Sequence, residues 1–141
     1  MAMLMIGLSA GLLGGCGERS QRVETFPAAG IVAMGGQPVD GATVEFTPVA
    51  SATGVAGAQA RTDASGRFEM SIMLDNGRTT QPGLPAGEYR VTITKYEAPA
   101  GEASLARPPR NILPAKYQSP DSTPFSATVK PESENHFTFS L

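Results

Sequence analysis

Chemistry in this chain would have to be built from very few groups. His136 is the only histidine and Cys16 the only cysteine. Catalysis by a serine or cysteine nucleophile needs an imidazole within hydrogen-bond reach and a third group to orient it. Any such scheme would run through His136. That residue falls on the outward phase of the alternating run Asn135-His136-Phe137-Thr138-Phe139-Ser140-Leu141, the place of a solvated strand residue. A structural zinc site needs a tetrahedral set of nitrogen and sulfur ligands, more than one His and one Cys provide. Calcium needs several convergent oxygens. Asp63, Ser65, Asp75 and Asn76 are the only loose group of that kind, and Asp63 already suits a turn. The chain is therefore expected to be no enzyme and to carry neither metal nor cofactor.

One other stretch carries recognition chemistry: Arg107-Pro108-Pro109-Arg110-Asn111-Ile112-Leu113-Pro114-Ala115-Lys116-Tyr117. Cations, an aromatic ring and a stiff proline backbone are the ingredients of a contact surface. Arg107, Arg110, Lys116 and Tyr117 are the residues expected to meet a partner. The competing reading has Ile112, Leu113 and Tyr117 pinning a long crossover against the core while the charges stay wet. The 11 basic residues of the whole chain are scattered and the net charge is −2, which gives no footprint for nucleic acid.

The setting of Cys16 points to the cell envelope. Residues 2–15 read Ala-Met-Leu-Met-Ile-Gly-Leu-Ser-Ala-Gly-Leu-Leu-Gly-Gly, without a charge. The run is too short for a bilayer core, which takes about 20 residues of helix, and matches the apolar region of a secretory signal. No Lys or Arg precedes it, so the natural start is expected upstream of Met1. Leu13-Gly14-Gly15-Cys16-Gly17 resembles a bacterial lipobox. The resemblance implies a diacylglycerol thioether on Cys16, cleavage before it, and acylation (palmitate or a similar chain) of the new amino terminus. Several acyl chains on one residue anchor stably where one does not. Residues 1–15 are then a lipoprotein signal peptide and residues 16–28 the lipidated cysteine with a polar tether. Gly17, where an Asp would signal retention in the inner membrane, suggests the outer membrane or the cell surface.

The rest of the chain alternates. Ala42, Val44 and Phe46 interleave with Thr43, Glu45 and Thr47. The same period of two runs through Phe68, Met70 and Ile72, through Tyr89, Val91 and Ile93, through Phe125, Ala127 and Val129, and through Phe137, Phe139 and Leu141. Such runs are half-buried strands. Residues 29–34 and 59–62 would bring the count to seven. The 16 glycines and 12 prolines mostly punctuate these runs, as in Gly35-Gly36 and Asp63-Ala64-Ser65-Gly66. Residues 75–84 and 98–124 read as long connections. The expected class is all-β: a seven-stranded antiparallel β-sandwich after the N-terminal signal segment.

The order of several motifs is similar to the carboxypeptidase regulatory-like domain, a transthyretin-like (prealbumin-like) sandwich. They are Gly30-Ile31-Val32, Gly35-Gly36-Gln37-Pro38-Val39-Asp40-Gly41-Ala42-Thr43-Val44, Thr62-Asp63-Ala64-Ser65-Gly66-Arg67-Phe68 and Leu84-Pro85-Ala86-Gly87-Glu88-Tyr89-Arg90-Val91. The resemblance implies one such domain over residues 29–141 and a non-catalytic accessory or recognition role. Transthyretin-like folds include a ureide-pathway hydrolase, but its several histidines and Tyr-Arg-Gly-Ser end are missing here. The expectation is an envelope lipoprotein whose module binds or supports something, held to the bilayer through acylated Cys16. Its partner is an unidentified envelope protein or glycan. The alternative is a carbohydrate-binding accessory domain at the cell surface, which would want a row of exposed aromatics. The chain has no Trp and only three Tyr.

Overall fold

The computed structural model describes residues 22–50, 55, 57–101 and 106–141. Cys16 and the signal segment lie outside the described residues. Within them the fold is all-β. One four-stranded sheet has β1 (Ala28–Met34) at its centre. β1 pairs with β12 (Asn135–Ser140) on one side and with β2 (Gln37–Pro38) and β5 (Arg67–Glu69) on the other. The second sheet runs in the order β11 (Ser126–Val129), β8 (Gly87–Thr94), β3 (Thr43–Pro48), β4 (Ala58–Arg61). Two small ladders complete it: β6 (Ser71–Leu74) with β7 (Thr79–Pro82), and β9 (Tyr96–Glu97) with β10 (Arg110–Asn111).

The core forms where the two four-stranded sheets meet. Ala42, Val44, Phe46, Tyr89, Val91 and Ile93 have no exposed surface at all. Phe46 of β3 faces Phe68 at 6.3 Å, Phe137 at 5.5 Å and Phe139 at 6.3 Å, all on the opposite sheet or its strands. Edge-to-face rings at such spacing add about 0.5–1.5 kcal/mol each beyond area burial. The layering is that of a β-sandwich.

Local chemistry sets the corners. Met34 and Gln37 pair across Gly35-Gly36, both at positive φ (58° and 81°), so the β1–β2 hairpin closes in a turn only glycine forms without strain. Asp63 Oδ1 accepts the N–H groups of Ser65 (2.8 Å) and Arg67 (3.0 Å), fixing the turn into β5. Thr62, buried, donates to the Val39 carbonyl at 2.6 Å and accepts from Ala42 N–H at 2.8 Å.

The architecture departs from expectation in three respects. Twelve strand segments stand among the described residues where seven were expected. The run Phe68–Met70–Ile72 is divided: Met70 N–H donates to Ala28, while its carbonyl accepts from Gly83, so the chain leaves β1 and pairs with β7 instead. β7 itself lies in a stretch expected to be connection. Second, the fold is not wholly antiparallel, because β1 and β12 run parallel, from Ala28 opposite Asn135 to Ala33 opposite Ser140. β11 sits at the edge of the other sheet, so the link to β12 is a crossing between sheets and not a hairpin, and it delivers β12 alongside β1 in the same direction. Third, residues 98–124 include β10, which returns to pair with β9.

Candidate functional site

The long segment after β8 is fixed to the sandwich by its apolar and hydroxyl side chains. Leu113 and Tyr117 are buried, and the Tyr117 ring lies parallel to Phe125, with centroids 5.2 Å apart and planes 8° apart. Thr123 Oγ1 donates to the Val91 carbonyl at 2.6 Å. Asn111 Oδ1 accepts from Lys95 N–H (3.0 Å) and Leu113 N–H (3.2 Å), tying β10 to the end of β8. The Ile112 side chain, by contrast, is 45% exposed, and that residue is held through its N–H, which donates to the Lys95 carbonyl at 2.9 Å.

The four residues expected to form one contact surface are separated by this packing. Arg107 and Arg110 line one groove with Glu97, Ala98, Pro99, Pro108 and Ile112, a hollow of about 190 Å³. The strand pairing places Arg110 opposite Glu97. Lys95 takes the Glu97 carboxylate at 3.4 Å. The guanidinium groups of Arg107 and Arg110 therefore have no ion pair or side-chain hydrogen bond among the described residues. Lys116 does not line the groove; its Nζ stands 4.9 Å over the Tyr117 ring. Tyr117, only 5% exposed, is a packing residue, as the crossover reading of this stretch had it, and not a surface aromatic. Sequence reasoning missed Glu97, Pro99 and Lys95 as parts of this site, because their proximity depends on the β9–β10 ladder. The groove presents two cations to an incoming anionic group.

His136 is exposed on β12, as its phase required. It borders a separate groove of about 360 Å³ with Glu69, Glu134, Asn135, Met70 and Pro82. No hydrogen bond joins its ring to a carboxylate or hydroxyl among the described residues. Asp63 and Asp75 belong to different turns: Asp63 serves the corner before β5, and Asp75 Oδ2 accepts from Thr79 Oγ1 at 3.0 Å between β6 and β7. Among the described residues no three of His, Cys, Asp and Glu gather as metal ligands. The second groove missed by sequence reasoning is a shallow one of about 350 Å³ lined by Glu45, Gln59, Ser71 and Met73.

Desolvation by burial raises the Tyr89 phenol above its ordinary 10.0.

No family model matches the chain. No curated protein matches it either. Among solved structures it is similar to a candidate carbohydrate binding protein from Pseudomonas aeruginosa, with 12% identity, a TM-score of 0.45, and coverage of 87% of this chain and 92% of that one.

Proposed function

We propose that this chain is a lipoprotein of the cell envelope whose folded part is a non-catalytic binding module for an anionic partner, protein or glycan. In this reading residues 1–15 are the signal, residues 16–28 the acylated Cys16 and its tether, and residues 29–141 a seven-stranded sandwich of transthyretin-like topology. The strand count is supported by treating β5 and β6 as one strand bent at Met70, and β2, β7, β9 and β10 as additions to β1, β3, β4, β8, β11 and β12. A buried tyrosine hydroxyl that returns to the backbone just upstream, as Tyr89 does to Pro85, is a mark of Greek-key sandwiches. Acyl chains at Cys16 would hold the module at the outer membrane or cell surface.

The observation that carries the binding function is the groove in which Arg107 and Arg110 have no partner among the described residues while Lys95 occupies Glu97. A row of stacking aromatics is not available for sugar recognition: Tyr89 and Tyr117 are buried, and Tyr96 is the one large exposed aromatic among the described residues.

Expression of the full chain in a lipoprotein-processing bacterium tests both parts. Intact mass of membrane-extracted protein should equal residues 16–141 plus lipid, and the lipid should be absent from Cys16→Ser. Binding to envelope fragments should weaken about tenfold or more in an Arg107→Ala/Arg110→Ala variant, and the loss should depend on salt. An unlipidated mass that retains residues 1–15 would refute the anchor. Unchanged binding in the double variant would refute the groove.

A further inference from the structure

The outer edge of β12 carries a self-complementary backbone pattern. Asn135 N–H donates to the Pro27 carbonyl at 3.0 Å, and Leu141 N–H donates to the Ala33 carbonyl at 2.8 Å. Main-chain groups alternate sides along a strand. The odd-numbered residues of β12 therefore face β1, while His136, Thr138 and Ser140 turn both N–H and C=O away from it. Those three are also the residues whose side chains are exposed. β12 ends its sheet, and among the described residues it pairs with β1 alone.

Two other edge strands carry a guard within their own bounds: β4 ends in Arg61 and β7 ends in Pro82. β11 is itself uncharged and is followed by Lys130 and Pro131, as β12 is preceded by Glu134. Charge and proline at an edge discourage pairing with another chain. β12 has neither: Asn-His-Phe-Thr-Phe-Ser contains no Lys, Arg, Asp, Glu or Pro. Its neighbour β1 adds the half-buried Ala29, Ile31 and Ala33, an apolar strip continuous with the open edge.

We infer that β12 pairs antiparallel with β12 of a second copy of this chain, about a two-fold axis through Thr138. In that register Thr138 lies opposite Thr138 of the second copy, and His136 lies opposite Ser140, reciprocally. Every outward residue then sits in a closely bonded pair that exchanges both main-chain hydrogen bonds. Registers shifted by one residue would set outward groups against groups already bonded to β1. Registers shifted by two draw in Glu134 or set His136 opposite a position beyond the end of β12. No like charges oppose one another in the centred register, and the threonine–threonine and histidine–serine pairs suit cross-strand contact. The symmetric, uncharged fit is what selects a second copy over an unrelated extended segment. The result is an isologous interface that joins two sheets into one. It does not depend on acylation of Cys16.

The test uses the full chain with Cys16→Ser, so that an introduced thiol is the only one. Sedimentation equilibrium over a concentration series should show monomer–dimer exchange. Thr138→Lys places two ammonium groups at the axis and should raise the dimer dissociation constant at least about tenfold, with the melting temperature of the monomer unchanged. Thr138→Cys should give a covalent dimer under mild oxidation, since paired Cα atoms about 5.5 Å apart lie in disulfide range. Thr128→Cys, exposed on β11, should give none. A monomer throughout the series overturns the inference, as does a dimer indifferent to Thr138→Lys or a Thr138→Cys protein that fails to cross-link.

Discussion

The hydroxyl of Tyr89 donates to the carbonyl of Pro85 at 2.7 Å, four residues back along the chain, and both residues are buried. That bond fixes the turn Pro85-Ala86-Gly87 from which β8 departs. The same ring packs on Phe46 with centroids 5.8 Å apart. One side chain thus sets the direction of a strand and fills the layer beneath it.

Tyr89→Phe keeps the ring and strands the Pro85 carbonyl, at a cost of about 1–3 kcal/mol in denaturant unfolding at neutral pH. The pH dependence follows from the phenol's raised value in the fold. The stabilising effect of the neutral hydroxyl is complete below the unfolded value of about 10. It is lost as pH rises from there toward the folded value, because the unfolded chain releases the proton first. Melting curves across that alkaline range should fall less steeply for Tyr89→Phe than for the parent protein.

Phe46→Ala removes the ring that bridges the two sheets. The expected loss is about 3–5 kcal/mol, the scale for deleting a buried aromatic that neighbours cannot collapse onto. Phe68, Phe137 and Phe139 should lose their fixed geometry together, read as a reduced near-ultraviolet circular dichroism signal with retained strand content.

Gly30→Ala tests the close approach of β1 to its neighbours. A Cβ there would collide with the Phe137 carbonyl oxygen and sit 2.7 Å from the Phe68 ring. The backbone contact cannot swing aside, so the variant should be destabilised by about 1–3 kcal/mol or more. Hydrogen exchange should quicken in β12 and β5 ahead of β8.

Asn135→Ala loosens the crossing into β12. Its Nδ2 donates to the carbonyls of Pro27 and Lys130, each at 3.0 Å, and its Oδ1 accepts from Lys130 N–H at 2.8 Å. Loss of the side chain leaves the Lys130 N–H without its acceptor, while the Pro27 and Lys130 carbonyls keep main-chain donors in Asn135 and Glu132, and should cost about 1 kcal/mol. Limited proteolysis should then cut within residues 130–134 sooner than in the parent protein.

Alternation in the sequence was a sound guide to which residues turn inward: Val44, Phe46, Phe68, Ile72, Val91 and Val129 are all buried as their phase required. Phase does not say which strand lies alongside, so the parallel pairing of β1 with β12 was not legible. β7 was not legible either, since Thr-Thr-Gln-Pro contacts the core on neither face strongly enough to leave an apolar period. Its turn is formed by Asp75, Asn76 and Gly77, all at positive φ (52°, 56° and 86°), a conformation Asn and Asp tolerate better than most residues. The arginines of the proline-rich stretch could be singled out by composition. Their division from Lys116 could not, because it follows from Tyr117 stacking on Phe125, a contact with no local signature.

Pairing of β1 with β12 also sets the order of assembly. The first long strand is completed on one side by the last, and Asn135 reaches Pro27 across 108 positions of chain. A chain in which β12 has not yet docked can close the β3–β8 and β3–β4 ladders, yet β1 keeps an open flank and Phe46 lacks two of its facing rings. Such late, distant closure slows folding. The sheet around β1 therefore stays unfinished until β12 has joined it.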